Sequence, residues 1–445
     1  WLKFTRKELP KDRLWVSLDE EEEAPRWLAL PGGRLLGLGR HWHFAVALGW
    51  ILTGVIYVVL LFTSSEWHRL VPTSWSIFPH AWHALEAYLT GHLPVAGNPY
   101  NGLQKLSYFV VIFFVAPLSI LTGIAMSPAW IGRFPWYLRA FGGKQAARSI
   151  HFCCLVIFIA FTIVHTAMVI VHGVPEEFGR MGLGSEHHST GLALGVGLGA
   201  LAVIALIHVA ATVTSNRRPR TVVETLGRIV HPVQRALSLM QSNQHYRESD
   251  ISSFHRLNGY PPKSPEYDRL AADRFRDWRL EINGLVENPL SLSIEDLRAL
   301  ERQDQVTKHN CIQGWTSIAK WSGVPLTNLI ELVRPKPEAR YAVFHGMDDK
   351  TTSGAEAEKK EGYFYEAVDL RLLRHPQTIL AYEMNDKPLP IPHGAPLRLR
   401  LEVQLGFKMV KWLRAIEFVH DYRDIGDGHG GWREDHAYYY QAVGI

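Results

Sequence analysis

The sequence predicts a multidomain protein, with a four-helix transmembrane bundle followed by a mixed α+β domain. Three observations carry that expectation. Four runs, at 44–62, 107–126, 152–171 and 191–213, are long and apolar enough to cross a hydrocarbon core of about 30 Å, which takes about 20 helical residues. Nearly all long apolar runs end before residue 215 and most charge follows it, so the averages of 47% hydrophobic and 20% charged residues conceal two unlike halves. In the second half the apolar pattern shortens and alternates, as half-buried strands require.

The first span is preceded by an acidic, tryptophan-containing stretch of about 40 residues, which does not read as a cleaved signal peptide. Four spans put both termini on one side. Eight Lys/Arg lie in 1–43, four more (Arg133, Arg139, Lys144, Arg148) in the second connection, and Arg217, Arg218, Arg220 and Arg228 follow the last span. The opposite connections hold only Arg69, Lys105 and Arg180. The positive-inside bias therefore predicts cytoplasmic termini and a cytoplasmic soluble half. A net charge of +4 without a Lys/Arg-rich stretch gives no basis for a nucleic-acid partner. Cys153, Cys154 and Cys311 provide no disulfide framework.

Histidines are unusually frequent in and beside the apolar runs, where ionisable groups are costly. His151 and His165 lie 14 residues apart on the third span. That is about 21 Å along one helical face, a spacing suited to two stacked haems. Each iron then needs a second imidazole to remain six-coordinate for electron transfer. His43, at the start of the parallel first span, matches the level of His151, with His208 as its rival. His92, just ahead of the second span, matches His165, with His83 and His172 as rivals. The bland alternative is a set of interfacial histidines bonded to backbone.

Two stretches, 101–128 (NGLQKLSYFVVIFFVAPLSILTGIAMSP) and 143–165 (GKQAARSIHFCCLVIFIAFTIVH), resemble the di-haem cytochrome b subunits of nickel–iron hydrogenases and formate dehydrogenases. That resemblance covers roughly 40–215. It implies two b haems on His43/His151 and His165/His92, with membrane quinone as the electron partner.

In the soluble half, 278–285, 341–344 and 397–403 alternate as strands, and Ser293 with Asp296 forms a capping box ahead of a short helix. Cys311 lies in TKHNCIQGWTSIAKWSGVP (307–325), where His309 precedes it and Gly314-Trp315 follows. A free cysteine is more often a small buried hydrophobe. A thiolate in a polar, turn-like frame is also a soft metal ligand. The segment LPIPHGAPLRLRLEVQLGFKMVKW (389–412) supplies His393, Arg398, Lys408 and Lys411 around two glycines, a combination suited to an anionic phosphate.

Together these segments resemble the molybdopterin domain of the sulfite oxidase family, nearest its methionine-sulfoxide-reductase-like branch, over about 251–425. By position the resemblance implies that Cys311 is the thiolate on molybdenum. It also implies that His309, His393, Arg398 and Lys408 flank the cofactor and that Met409-Val410-Lys411 wraps its far end. Arg256 and Asn258 come from FHRLNGY (254–260), and Asp348 is a further contact. Sulfite oxidases carry arginines a few residues after the cysteine. This chain has Gln313, Gly314 and Trp315 there, which disfavours a sulfite-type anion and favours a neutral sulfoxide or N-oxide.

The expected organisation is a cytoplasmic N-terminal arm (1–40), a four-span di-haem cytochrome b domain (41–215) and a basic linker (216–250). A sulfite-oxidase-type molybdopterin domain (251–425) and an aromatic C-terminal tail (426–445) complete it, the tail read as a strap without a chemical role. The implied function is oxo transfer at a pterin–molybdenum centre, with electrons exchanged through two b haems with the quinone pool. The implied partners are a small-molecule substrate, quinone, lipid and further redox subunits. Two other readings stay open at this point: an electron-transfer or docking subunit with a silent pterin domain, and a sulfite-type dehydrogenase.

Overall fold

The structure, a computed structural model, describes residues 36–94, 97, 100–184, 189–238, 243–352 and 362–437, with positions 14 and 16. Most of the N-terminal arm and the last residues of the tail lie outside the described residues. The chain divides into two compact units, one of 1–2 and 42–217, the other of 3–41 and 218–445.

In the first unit four helices are long and apolar enough to span a membrane: Gly37–Thr63, Gly102–Ala125, Lys144–His172 and Thr190–Arg217. All four predicted spans are present, each longer than its apolar run; the second extends only at its start, since it ends at Ala125. Large aliphatic side chains such as Leu206 and Ile207 remain about two-thirds exposed, as expected of faces that meet lipid. The second span starts at a capping box, in which the Asn101 side chain accepts from Gln104 N and Gln104 accepts from Asn101 N. Midway it widens into a π-turn, Val111–Val115, just before Pro117. Proline lacks an N–H and crowds the carbonyl four residues back, so the wider turn relieves that conflict. Two further helices, Ile77–Leu89 and Val174–Leu183, occupy the connections between spans.

The second unit holds the helix Pro219–Ser238, which buries Val222, Val223, Leu226 and Val230 at helical spacing. Two five-stranded sheets follow. The first runs β2 (Leu290–Leu292), β1 (Leu280–Gly284), β10 (Leu413–Val419), β5 (Tyr341–Asp349), β6 (Tyr363–Asp369); only β1 and β10 pair in parallel. The second runs β3 (Gln303–Asn310), β4 (Thr316–Pro325), β7 (Thr378–Met384), β8 (Lys387–Pro388), with β9 (Arg398–Leu401) also on β7. The three strands expected from alternation appear as β1, β5 and β9. The expected capping box is present at Ser293, ahead of the helix Ile294–Ala299. A continuous apolar core, including Trp278, Leu280, Phe344, Leu399, Trp412 and Leu413, packs β1, β5, β9 and β10 together.

Candidate functional site: a pterin cleft and histidines in the membrane

Cys311 sits where β3 turns into β4 and is nearly buried. The turn is closed by Cys311 N donating to Trp315 O at 3.1 Å and Gly314 N donating to Cys311 O at 3.0 Å. Gly314 takes φ +86°, a conformation that suits glycine. Gln313 Oε1 accepts from Trp315 Nε1 at 3.1 Å and lies 3.5 Å from Cys311 Sγ.

Strand alternation puts Gln305, Thr307 and His309 on one face of β3. They meet the end of β9. Glu402 accepts from Gln305, Thr307 and, at 2.7–2.9 Å, both arms of Arg400. Arg400 in turn reaches His309 Nδ1 at 3.1 Å. His309 is buried and packs where a side chain at Gly406 would stand. Its Nε2 has no partner. His255 joins the same cluster, with ring centroids 5.6 Å from His309, 5.6 Å from Trp321 and 5.2 Å from His393. The guanidiniums of Arg398 and Arg400 lie 4.8 and 4.3 Å from the centre of the Trp321 ring.

Burial dominates the electrostatics here. Desolvation pushes His255 down to about 3 and His393 to about 2, assisted by neighbouring cations, and holds His309 well below the imidazole range. All three are therefore neutral at physiological pH. Burial and Arg400 depress Arg398 well below the ordinary guanidinium range, so its charge is costly unless an anion offsets it. Among the described residues, buried atoms of this neighbourhood without a hydrogen-bond partner include His255 Nε2, His309 Nε2, Asn310 Oδ1, Trp321 Nε1, Arg398 Nε and Asp348 Oδ1. A native protein rarely leaves so many unpaired in one place without a ligand to satisfy them. The donor set, a cysteine sulfur outside any disulfide beside neutral imidazoles and a buried guanidinium, fits a pterin-bound metal that takes a sulfur ligand.

A second part of the site is a cleft open to solvent, lined by Asn258, Asp348, Lys350, Met409, Lys411 and Arg433 among others. Lys411 Nζ donates to the carbonyls of Asn258 (2.5 Å) and Pro392 (3.2 Å), which ties the 254–260 segment to the 389–412 segment. Asp348 pairs with Lys350 at 3.0 Å. Burial raises its carboxyl above the usual range, against the pull of Lys350. Met409 and Val410 are buried, and Val410 O accepts from Leu399 N.

The structure therefore brings Cys311, His309, His393 and Arg398 into one neighbourhood, and Asn258, Asp348, Met409 and Lys411 around one cleft. Arg256 stands beside them in the chain, half-buried, and its carbonyl accepts from His255. Lys408 is placed differently. Its ammonium is buried between Glu366 (2.5 Å) and Glu434 (2.6 Å) and so is not directed at a phosphate, because two buried carboxylates hold a cation more strongly than a distant anion does. The sequence reading missed His255, Trp321, Arg400 and Glu402. Their signal was present in the alternation of FHRLNGY and LRLRLEV, but residues on a predicted strand read as surface until the facing strand is known.

In the membrane unit, the His43 and His151 rings lie 6.5 Å apart. His151 Nδ1 is 2.9 Å from Ser119 O and 3.1 Å from Thr122 Oγ1, which fixes the proton on Nδ1 and leaves Nε2 for a metal. Gly123 packs against the same ring. His165 is held by Tyr108 Oη at 3.4 Å and stacks on Phe161. His92 is exposed and lies 3.2 Å from Thr90 Oγ1. Of the rivals, His83 meets Glu86, His172 meets Tyr88 Oη at 3.3 Å, and His208 is exposed on the fourth span.

Two family models match, in agreement with this geometry. Residues 14–184 match the prokaryotic cytochrome b561 model and residues 268–424 the oxidoreductase molybdopterin binding domain. The chain thus joins a cytochrome b561-type membrane domain to a molybdopterin-binding oxidoreductase domain. Among its relatives are YedZ1 of Azospira oryzae, named as a candidate protein-methionine-sulfoxide reductase subunit (35% identical over 36% of this chain and 54% of the relative). The protein-methionine-sulfoxide reductase catalytic subunits MsrP of Xanthomonas campestris (27%; 43% and 60%) and Campylobacter jejuni (31%; 32% and 50%) are two more. The chain spans between half and 60% of the length of these relatives.

Proposed function

We propose that this protein is a membrane-bound molybdenum oxidoreductase that performs oxo transfer on a neutral sulfoxide or N-oxide and exchanges electrons with the quinone pool through two b haems. The observation that carries this reading is the set of orphaned buried polar atoms beside Cys311. A docking module would bury an apolar or fully paired surface there.

When bound, the pterin–molybdenum group supplies two-electron oxygen-atom chemistry and the haems supply single-electron transfer. The residues do the rest. Cys311 offers its thiolate from a rigid turn. Arg398 and His393 hold the cofactor's polar arm, with Arg256, Asn258, His309, Asp348 and the main chain of 409–411 around it. Glu402 neutralises Arg400, and Gln313 and Trp315 replace cations beside the thiolate. That leaves little charge to bind a dianion, and it favours a sulfoxide. The methionine sulfoxide named for the relatives agrees with this choice.

In the membrane domain His43 and His151 would ligate one haem, and His165 and His92 the other. The Lys/Arg bias supports cytoplasmic termini and a cytoplasmic catalytic domain. A C-terminal reporter active only in the periplasm would reverse that orientation by becoming active.

The central test is molybdenum and haem b per chain in detergent-purified protein, followed by sulfoxide reduction with an artificial electron donor. About one molybdenum and about two haems per chain, with turnover of a sulfoxide, is the expected result. Haem without molybdenum would make the soluble half a docking module.

A further inference from the structure

The segment after β10 returns to the catalytic domain and is fastened to β6 at several points. Gly431 bridges Glu366, and Ala367 N donates to Gly430 O at 2.9 Å. Lys408 sits buried between Glu366 and Glu434. Tyr365 Oη donates to Asp435 at 2.5 Å, and Asp435 also accepts from the main chain of Asp427 and His429. Trp432 is buried with its ring centre 6.0 Å from that of Phe364, which lines the cleft. A side chain at Gly431 would collide with both glutamates. This fastening is far stronger than a solvent-exposed tail needs, and its effect is to hold Arg433 in the wall of the pterin cleft.

The chemistry of that wall is directional. Asp348, an acceptor, is buried with Oδ1 unpaired and lines the cleft. It calls for N–H donors such as the amino edge of a pterin. Arg433 carries only donors, in a planar fork. Lys350 and Lys411 add positive charge, so three cations face one carboxylate. We propose that the C-terminal segment is a working wall of the cofactor site, in which Arg433 donates hydrogen bonds to oxygen acceptors of the molybdopterin that Asp348 grips from the other side. Those oxygens belong either to the ring carbonyl or to the phosphate; both are planar or clustered acceptors that a guanidinium fits. The inference rests on the molybdopterin reading above and deepens it. The tail is thus part of the binding machinery, beyond the simple strap expected from its composition.

The test uses full-length, detergent-purified protein from a host unable to make the cofactor. The affinity for molybdopterin would be measured under anoxic conditions in wild type, R433Q and R433K. Haem b content and the thermal midpoint check that each variant is folded. R433Q should bind about 10-fold more weakly, the loss of one paired charge-assisted contact, and R433K should fall between. With the dephosphorylated pterin, an unchanged ratio between wild type and R433Q assigns Arg433 to the ring edge. A ratio that collapses to about one assigns it to the phosphate. Folded R433Q binding within about twofold of wild type overturns the inference alone. Wild type that binds no molybdopterin overturns the molybdopterin reading itself, and this inference with it.

Discussion

The two units bury polarity in opposite ways. In the membrane unit the spans leave most of their apolar side chains exposed, and the polar groups among them are few and sparsely bonded. His151 is held by one carbonyl and one hydroxyl, and His165 by one tyrosine. In the catalytic unit the core is dense, and charged groups such as Arg400, Glu402 and Lys408 are fully buried within multi-partner networks. Polarity in an apolar span is conspicuous by itself. In a soluble domain, function is marked by the polar atoms that a satisfied network leaves unpaired.

The sharpest test of that contrast is Cys311→Ser. A hydroxyl is a hard, poorly acidic ligand, so sulfoxide turnover should fall by more than about 100-fold with haem b content unchanged. Activity retained in the serine variant would show that the thiol is only a small buried apolar group.

The matching change in the membrane unit is His151→Ala. It should remove one haem, about half of the haem b absorbance per chain, and leave molybdenum content alone. His43→Ala should reproduce it, because the two ring centroids lie only 6.5 Å apart. Full haem content in both variants would move that ligand pair elsewhere, with His208 the next candidate.

These two tests differ in how far the sequence alone could frame them. The spans, the 151/165 pair and the Cys311 turn were legible because each is a local pattern: hydropathy, helical spacing, or a cysteine in a polar frame. The neutral histidine cluster was not. His255, His309 and His393 come from segments more than 50 residues apart, and only tertiary packing brings His309, His393 and Trp321 against His255. The assignment of Lys408 to phosphate failed for the same reason, since Glu434 lies 26 positions away in a segment with no strong pattern.

Lys408 offers the largest expected effect on stability. Lys408→Met leaves Glu366 and Glu434 facing each other in the core. Burial and Glu434 already push the Glu366 carboxyl well above its usual range. Removing the cation from such a cluster costs about 3–5 kcal/mol, read as a lower denaturation midpoint for the catalytic domain. A variant as stable as wild type would mean that one carboxyl is already protonated and the lysine is dispensable.

The smallest expected effect is on pH dependence, and it separates the two units cleanly. His255 and His393 are depressed by burial to about 3 and about 2, below the unfolded value of about 6.5. Between those values the unfolded chain binds more protons than the folded one, so stability rises with pH. Their contribution is complete above about pH 6.5 and is lost as the pH falls toward their folded values, at up to about 1.4 kcal/mol per pH unit for each group. The denaturation midpoint of the catalytic domain should therefore drop between pH 7.5 and 5.5 at constant ionic strength. His255→Gln replaces one imidazole by an amide that does not titrate, and it should reduce the dependence on pH by roughly half of what these two groups supply. A wild-type midpoint flat over that range would mean that both imidazoles reach water, and the neutral, desolvated cluster beside Cys311 would have to be abandoned.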